Sequence, residues 1–354
     1  MKGLILSGGK GTRLRPITHT RAKQLLPVAN KPILFYGLEA MAAAGIADVG
    51  IVVGDTREEI RQAVGDGSRF GTRVTYVVQD EPLGLAHAIK VAADYLADEP
   101  FVMYLGDNLI RDGIRALVEE FRGDTAHCHI LLAHVKNPQE FGVAELEGGR
   151  VKRLVEKPRK PKSDLALVGV YMFNSEIFEA IEHIQPSWRN ELEITDAIQY
   201  LVDQGREVRS KIITGWWKDT GKLEDILEAN RVILSGLEGR MDSALDSSTR
   251  VEGEVSVGKQ TRVVNSVLRG PLVIGDECRI EGSYIGPFTS VHSNVEIRNS
   301  QVEHSIILEN SSIVDIGTRI ESSLVGQNSE VRTASGPHRA MRLMVGDYSQ
   351  IEVL

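Results

Sequence analysis

Cysteine is scarce in this chain, and long apolar runs are missing altogether. Only Cys128 and Cys278 occur in 354 residues, too few for a four-cysteine zinc site. Their wide separation places them in different domains, which argues against a structural disulfide. No stretch approaches the ~18 consecutive apolar residues of a membrane span. The opening Met1-Lys2-Gly3-Leu4-Ile5-Leu6-Ser7 turns to glycine too soon to hold the apolar region of a signal peptide, so a cytoplasmic protein is expected. Basic charge is lacking as well. A net charge of −8 argues against general nucleic-acid binding, while a local basic pocket for one nucleotide stays allowed.

What is present is ordinary globular material, 42% hydrophobic and 25% charged, in a chain long enough for two domains. Up to about residue 235, apolar strand-like runs alternate with amphipathic helical stretches, the pattern of an α/β domain around a Rossmann-like, mostly parallel sheet. The runs predict strands over Gly3–Leu6, Val49–Gly54, Val74–Val78, Phe101–Leu105, His129–His134 and Val168–Phe173. Helices are predicted over Ile33–Ala44, Arg57–Val64, Leu85–Leu96 and Glu193–Val202. Domains are accordingly expected over 1–240 and 241–354.

Beyond about residue 240 the period changes. Aliphatic residues fall at Val251, Val257, Val263, Leu268, Ile274, Ile280, Ile285, Val291, Ile297, Val302, Leu308 and Ile313, five or six apart. Three steps make a period of 17, so Val257, Ile274 and Val291 should stack. This is the hexapeptide signature of a parallel β-helix, against a β-sandwich with fortuitous spacing. The pattern fades after Val325, and Thr333-Ala334-Ser335-Gly336-Pro337 reads as a loop leading to a last strand near Arg342–Val345.

The first strand runs into Leu6-Ser7-Gly8-Gly9-Lys10-Gly11-Thr12-Arg13, where a parallel sheet places its ligand crevice. Three glycines in four residues let the backbone approach a phosphate and offer it amides. The loop has neither P-loop spacing nor, with Leu14 where the third glycine should stand, the dinucleotide fingerprint. Arg13 and Lys23 flank it as permanent cations able to neutralise charge on a triphosphate. His127-Cys128-His129 is not read as a metal site, because alternate residues of a strand point to opposite faces.

Gly8 to Thr18 followed by Lys23-Gln24-Leu25-Leu26-Pro27 resembles the signature of the sugar-1-phosphate nucleotidylyltransferases. Lys-Gln-Leu-Leu-Pro resembles their glucose-1-phosphate thymidylyltransferase branch. Further landmarks are Gln79 with Pro82-Leu83-Gly84, Leu105-Gly106-Asp107-Asn108, Phe141-Gly142-Val143, Glu156-Lys157-Pro158, Glu191 to Asp196 and Trp217-Lys218-Asp219-Thr220-Gly221. The resemblance implies transfer of a nucleotidyl group from dTTP to glucose 1-phosphate, with UTP or another hexose 1-phosphate as the nearest alternative. It implies a catalytic set of Arg13, Lys23 and Lys157, and Mg²⁺ held by Asp107 and Asp219. The nucleotide would meet Ser7, Gly8, Gly9, Gly11, Thr12, Gln24, Gln79, Pro82 and Gly84, the last leaving room for the base against backbone. The sugar phosphate would meet Leu105, Asn108, Gly142, Glu156, Val168, Tyr171 and Trp217, with Val168 and Tyr171 lining one pocket.

The tail departs from the common short members of that branch, which build a regulatory site partly from C-terminal helices. Here the resemblance is to a longer form with a left-handed β-helix, so that site is not carried over. Self-association through the β-helix is expected. Acyl transfer is the competing role for such a domain, but nothing around His292 or His304 resembles an acetyl-transfer site. A non-catalytic regulatory subunit is the rival of another class, and it would be favoured by loss of Arg13, Lys23 or Asp107, all of which are present.

Overall fold

The computed structural model describes residues 1–9, 11–334, 344 and 347–352. Contacts divide the chain into two units that do not follow chain order. The first comprises Met1–Lys10, Arg21–Leu25 and Ile33–Asp219; the second comprises Gly11–Thr20, Leu26–Pro32 and Thr220–Leu354.

The first unit is built on a nine-stranded sheet. Its elements used below are β1 (Lys2–Ser7), α1 (Ile33–Ala43), β2 (Asp48–Val53), α2 (Arg57–Val64), β3 (Arg73–Val78), α3 (Leu85–Val91), β4 (Phe101–Leu105), β5 (Asn108–Ile110), β6 (Cys128–His134), β7 (Gly142–Glu147), β8 (Arg150–Glu156), β9 (Leu165–Phe173), α4 (Ile194–Asp203), β10 (Val208–Ile212) and β11 (Trp217–Asp219). The main path runs β8-β7-β9-β4-β1-β2-β3, with β6 paired to β9 and β10 to β6. β4, β1, β2 and β3 are mutually parallel, while β9 runs antiparallel to β4.

The central strands read as near-continuous apolar runs because both faces are covered. Leu4 and Leu6 enter one core with Met103 and Ala88. Ile5 enters the other with Val102, Leu34 and Leu38. The predicted helix over Leu85–Leu96 is two helices, Leu85–Val91 and Ala93–Leu96, divided at Ala92.

In the second unit, parallel sheets of six, five and five strands form the three walls of a β-helix of the left-handed hexapeptide kind. Val257 pairs with Ile274 and Ile274 with Val291, as the period requires. The next coil corrects the sequence reading, since Val291 pairs with Ile307 rather than Leu308. Ile307 belongs to the inner core, whereas Leu308 is buried outside it. Val251 is also corrected: it lies in the first coil, stacks on one neighbour only, Leu268, and stays 37% exposed. The stack continues past Val325 to Glu330–Arg332, where Val331 pairs with Ile313. The strand expected near Arg342–Val345 lies outside the described residues, apart from residue 344.

Asparagines hold the coil corners. Asn294, Asn299, Asn310 and Asn328 all have positive φ, a region where asparagine is favoured among non-glycine residues. Asn294 donates to Asn310 at 2.7 Å and Asn299 to Asp315 at 2.7 Å, one coil to the next. Helix α5 (Leu223–Leu234) joins the wall through fully buried Asn230. Its Oδ1 accepts from Ala29 N at 2.8 Å and Ser290 Oγ at 2.6 Å, and its Nδ2 donates to Phe288 O at 3.0 Å. Cys128 is buried in the first unit and Cys278 in the interior of the β-helix, both as free thiols.

Candidate active site

Strand register aligns the first group of candidates. Ser7 pairs with Val53, Val53 with Val78, and Leu6 with Leu105. The residues that follow these strands, Gly8, Gly54, Gln79 and Asp107, therefore emerge along one carboxyl edge of the parallel strands, where α/β sheets hold ligands. A Cβ on Gly8 would stand 3.2 Å from Gln79 Oε1, and one on Gly9 3.1 Å from Lys23 Cε and 3.9 Å from Gln24 Nε2. Ser7, Gly8, Gly9, Lys23, Gln24 and Gln79 thus converge. Ser7 Oγ and Gln24 Oε1 are buried and meet no hydrogen-bond partner among the described residues. Such groups are costly unless a ligand completes them.

Asp107 sits in the turn between β4 and β5. Its carboxylate is ion-paired to the Lys23 ammonium and accepts from Asn108 Nδ2 at 3.1 Å. Burial pushes its pKa up, but Lys23 and Asn108 outweigh burial, so the net shift is downward. Asp219 is the last residue of β11, and the β5–β11 ladder pairs it with Asn108. Asp107 directly precedes Asn108, the residue paired with Asp219, so both candidate metal ligands lie at the same end of that ladder. Two carboxylates suit an ion that keeps waters and takes its other oxygens from a triphosphate, as Mg²⁺ does.

Asn108 and Trp217, expected on the sugar phosphate, are committed to each other. Trp217 Nε1 donates to Asn108 Oδ1 at 2.6 Å, which uses the amide oxygen while the amide nitrogen serves Asp107. The Trp217 ring meets Phe141 edge-on at 5.7 Å between centroids. Buried Asn108 thereby holds the Asp107 carboxylate and the Trp217 ring.

Glu156 closes β8 opposite Gly142 in β7. A Cβ at Gly142 would come within 2.7 Å of Thr195 Cγ2 and 3.1 Å of Glu156 Oε2, so only glycine leaves the Glu156 carboxylate in place. Thr195 Oγ1 donates to Glu156 Oε2 at 3.3 Å, and Arg189 Nη1 donates to Glu156 Oε1 at 3.4 Å. Burial, with Glu193 next, raises the Glu156 pKa. Lys157 follows at φ 41°, its N–H held by Phe141 O at 3.0 Å. Positive φ in a lysine is a costly conformation, of the kind concentrated at functional sites. The Lys157 ammonium lies 3.9 Å from Glu156 Oε1.

Arg189 escaped sequence reasoning. It also binds Glu191 at 2.7 Å and Glu193 at 3.3 Å. Its only signal was its place two residues before the Glu-Leu-Glu-Ile-Thr-Asp landmark.

The pocket expected jointly from Val168 and Tyr171 does not form that way. Val168 enters one core and Tyr171 the other, on opposite sides of the sheet. Tyr171 stacks on Phe173, and its pKa is raised by burial and by Glu156. A Cβ on Gly84 would stand 2.4 Å from Leu192 O and 2.7 Å from Leu192 N, so the backbone of Leu192 requires glycine there as well. Pro82 is exposed and Leu105 half-buried at the end of β4. Gly11, Thr12 and Arg13 fall in the second unit, in the 3-10 turn Thr12–Leu14 and the residue before it. There the Arg13 guanidinium packs on Gly221, 2.9 Å from the position of a Cβ.

The histidines around Cys128 serve separate carboxylates, His127 with Glu176 at 3.2 Å and His129 with Asp124 at 2.7 Å.

The nucleotidyl transferase family matches residues 2–236. The chain belongs to that family. Over its whole length it is 56% identical to a glucose-1-phosphate thymidylyltransferase of Streptomyces antibioticus and 53% identical to one of Streptomyces griseus, covering 99% of each. A solved UDP-glucose pyrophosphorylase complexed with UDP-glucose superposes with a TM-score of 0.58 at 27% identity, over 66% of this chain and 98% of that one. Among the described residues no helix is long and apolar enough to cross a membrane.

Proposed function

We infer that this nucleotidyl transferase moves the thymidylyl group of dTTP to glucose 1-phosphate, forming dTDP-glucose and releasing pyrophosphate. The observation that carries this is full-length similarity at 56% and 53% to two proteins of that name, in a chain whose glutamines and glycines converge at one sheet edge. A phosphate oxygen of the sugar attacks the α-phosphorus of dTTP in line, and pyrophosphate leaves on the opposite side. No covalent intermediate is needed, since a positioned phosphate dianion is nucleophile enough. Rate enhancement then comes from orientation and charge.

Gly8 and Gly9 present backbone to the phosphates, and Gln24 and Gln79 face the base. Glu156 accepts from the sugar hydroxyls. Lys157, with Arg189 beside it, neutralises the sugar phosphate, and Lys23 the charge near Asp107. Arg13, four residues along the chain from Gly9, is assigned to the leaving pyrophosphate on its motif. Asp107 and Asp219 are the residues that would hold Mg²⁺, which would lower the charge on the triphosphate. The β-helix is read as a self-association surface, which light scattering of the native chain tests by its mass. The cytoplasm, which supplies nucleoside triphosphates, is its place.

A pyrophosphate-release assay across five nucleoside triphosphates and several hexose 1-phosphates tests the reading. The pair dTTP with glucose 1-phosphate is expected among the best. If UTP or another hexose 1-phosphate clearly outruns it, the specificity claim fails while nucleotidyl transfer stands.

A further inference from the structure

Gln79 stands at the carboxyl end of β3, beside the glycine edge, and its amide has two chemically opposite ends. The nitrogen end faces away from the glycines: Nε2 lies 2.9 Å from His87 Nδ1 and 3.4 Å from Gly84 O. A carbonyl oxygen can only accept, and Gly84 O is itself fixed at the start of α3, where it also accepts from Ala88 N at 3.2 Å. The group turned to Gly84 and His87 must therefore be the amide NH₂. The oxygen end is then turned to the glycine edge, where Oε1 is the nearest atom to a Cβ built on Gly8.

His87 is the side chain that completes this arrangement. It projects from α3 between Ala86 and Ala88, which are both buried in the core, so its backbone is anchored on either side. For Nδ1 to accept from Gln79, the ring must be neutral and carry its proton on Nε2. Burial and then Lys90 lower the His87 pKa, against a smaller opposing effect of Glu81, which favours the neutral ring near pH 7.

We propose that His87 is a specificity-positioning residue: by accepting from Gln79 Nε2 it holds the Gln79 oxygen toward the base, selecting pyrimidines whose N3 carries a hydrogen. Thymine and uracil have an N3–H donor, which an amide oxygen accepts. Cytosine has a bare N3 lone pair, which the same oxygen repels. The device separates thymine and uracil from cytosine, and it does not separate thymine from uracil, whose difference is a methyl group. The proposal rests on the reading that Gln79 faces the base.

The test is kcat and KM for dTTP, dUTP and dCTP at saturating glucose 1-phosphate in the native chain, His87→Leu and His87→Asn. Losing one orienting hydrogen bond is worth on the order of tenfold. His87→Leu is expected to lower the dTTP to dCTP ratio of kcat/KM about tenfold, mainly through KM for dTTP, with the dTTP to dUTP ratio unchanged. His87→Asn, whose amide oxygen can stand near the position of Nδ1, restores most of that ratio. An unchanged dTTP to dCTP ratio in His87→Leu overturns the proposal. So does an equal loss for all three nucleotides that His87→Asn fails to restore, since that is the signature of a packing role. If His87→Leu does not fold, His87→Ala is read in the same way. A native chain inactive with dTTP would sink the functional reading instead, and His87 would then be judged on the dUTP to dCTP ratio.

Discussion

In the β-helix, Val263, Ile280, Ile297 and Ile313 pair one above another in four successive coils, and each does the same work in the same surroundings. At the candidate site, Gly8, Gln79, Asp107 and Glu156 come from four distant segments and each has different surroundings. The first region is held by repetition, so a change at one coil has a local packing cost. The second is held by strand register and a few polar contacts, so a change there removes a function without needing to disturb the fold.

Replacing Asp107 should separate the two regions most sharply. Asp107→Ala is expected to lower turnover at least ~100-fold with the circular dichroism of the native protein, and Arg13→Ala likewise. Near-native pyrophosphate release by either variant would remove that residue from the mechanism. In the β-helix, Ile280→Ala deletes a fully buried side chain and should cost about 2–5 kcal/mol, read as a lower urea midpoint. A cost under about 1 kcal/mol would mean that the stacked column does not carry the domain.

The Glu156 carboxyl links charge to activity. Its pKa is raised by burial and Glu193, so the folded chain holds this proton to higher pH than the unfolded chain. Ionising it therefore costs stability as pH rises through that range, and the cost is relieved as pH falls. Sugar binding moves the other way: KM for glucose 1-phosphate should climb several-fold as pH falls toward the ordinary carboxyl range. Glu156→Gln should raise KM at all pH values and abolish that inflection; a surviving inflection would assign it to another group. The smallest effect is expected at a coil corner. Asn299→Ala, at φ 47° with loss of the Asp315 contact, should cost roughly 1–2 kcal/mol, and Asn299→Gly less.

How much was legible follows the same division. The column Val257, Ile274, Val291 was readable because a repeat converts sequence spacing directly into spatial stacking. It misread Leu308 for Ile307 where the spacing shortens before lengthening again in the next coil, since period alone does not show where a turn loses or gains a residue. At the site, the glycines, Lys23 and Asp107 were readable as chemistry-bearing residues after apolar strands. Their partners were not. The Lys23–Asp107 pair, the Asn108–Trp217 bond and the hold of Arg189 on Glu156 each depend on which segments the sheet makes neighbours, and no local pattern encodes that. Val168 and Tyr171 are a different case: three positions apart on β9, they enter different cores, as the alternation of side chains along a strand requires.

By itself the sequence determined an α/β nucleotide-handling unit and a coiled β tail, because hydrophobic period and glycine-loop chemistry are local properties of the chain. Tertiary structure alone decided that Gly84 serves the backbone of Leu192 and that the Gln79 amide points its oxygen at the glycine edge. The first is set by a segment far along the chain, and the second by the turn into α3 that holds the Gln79 nitrogen while the sheet brings Gly8 to its oxygen; both come from how the chain packs rather than from spacing along it.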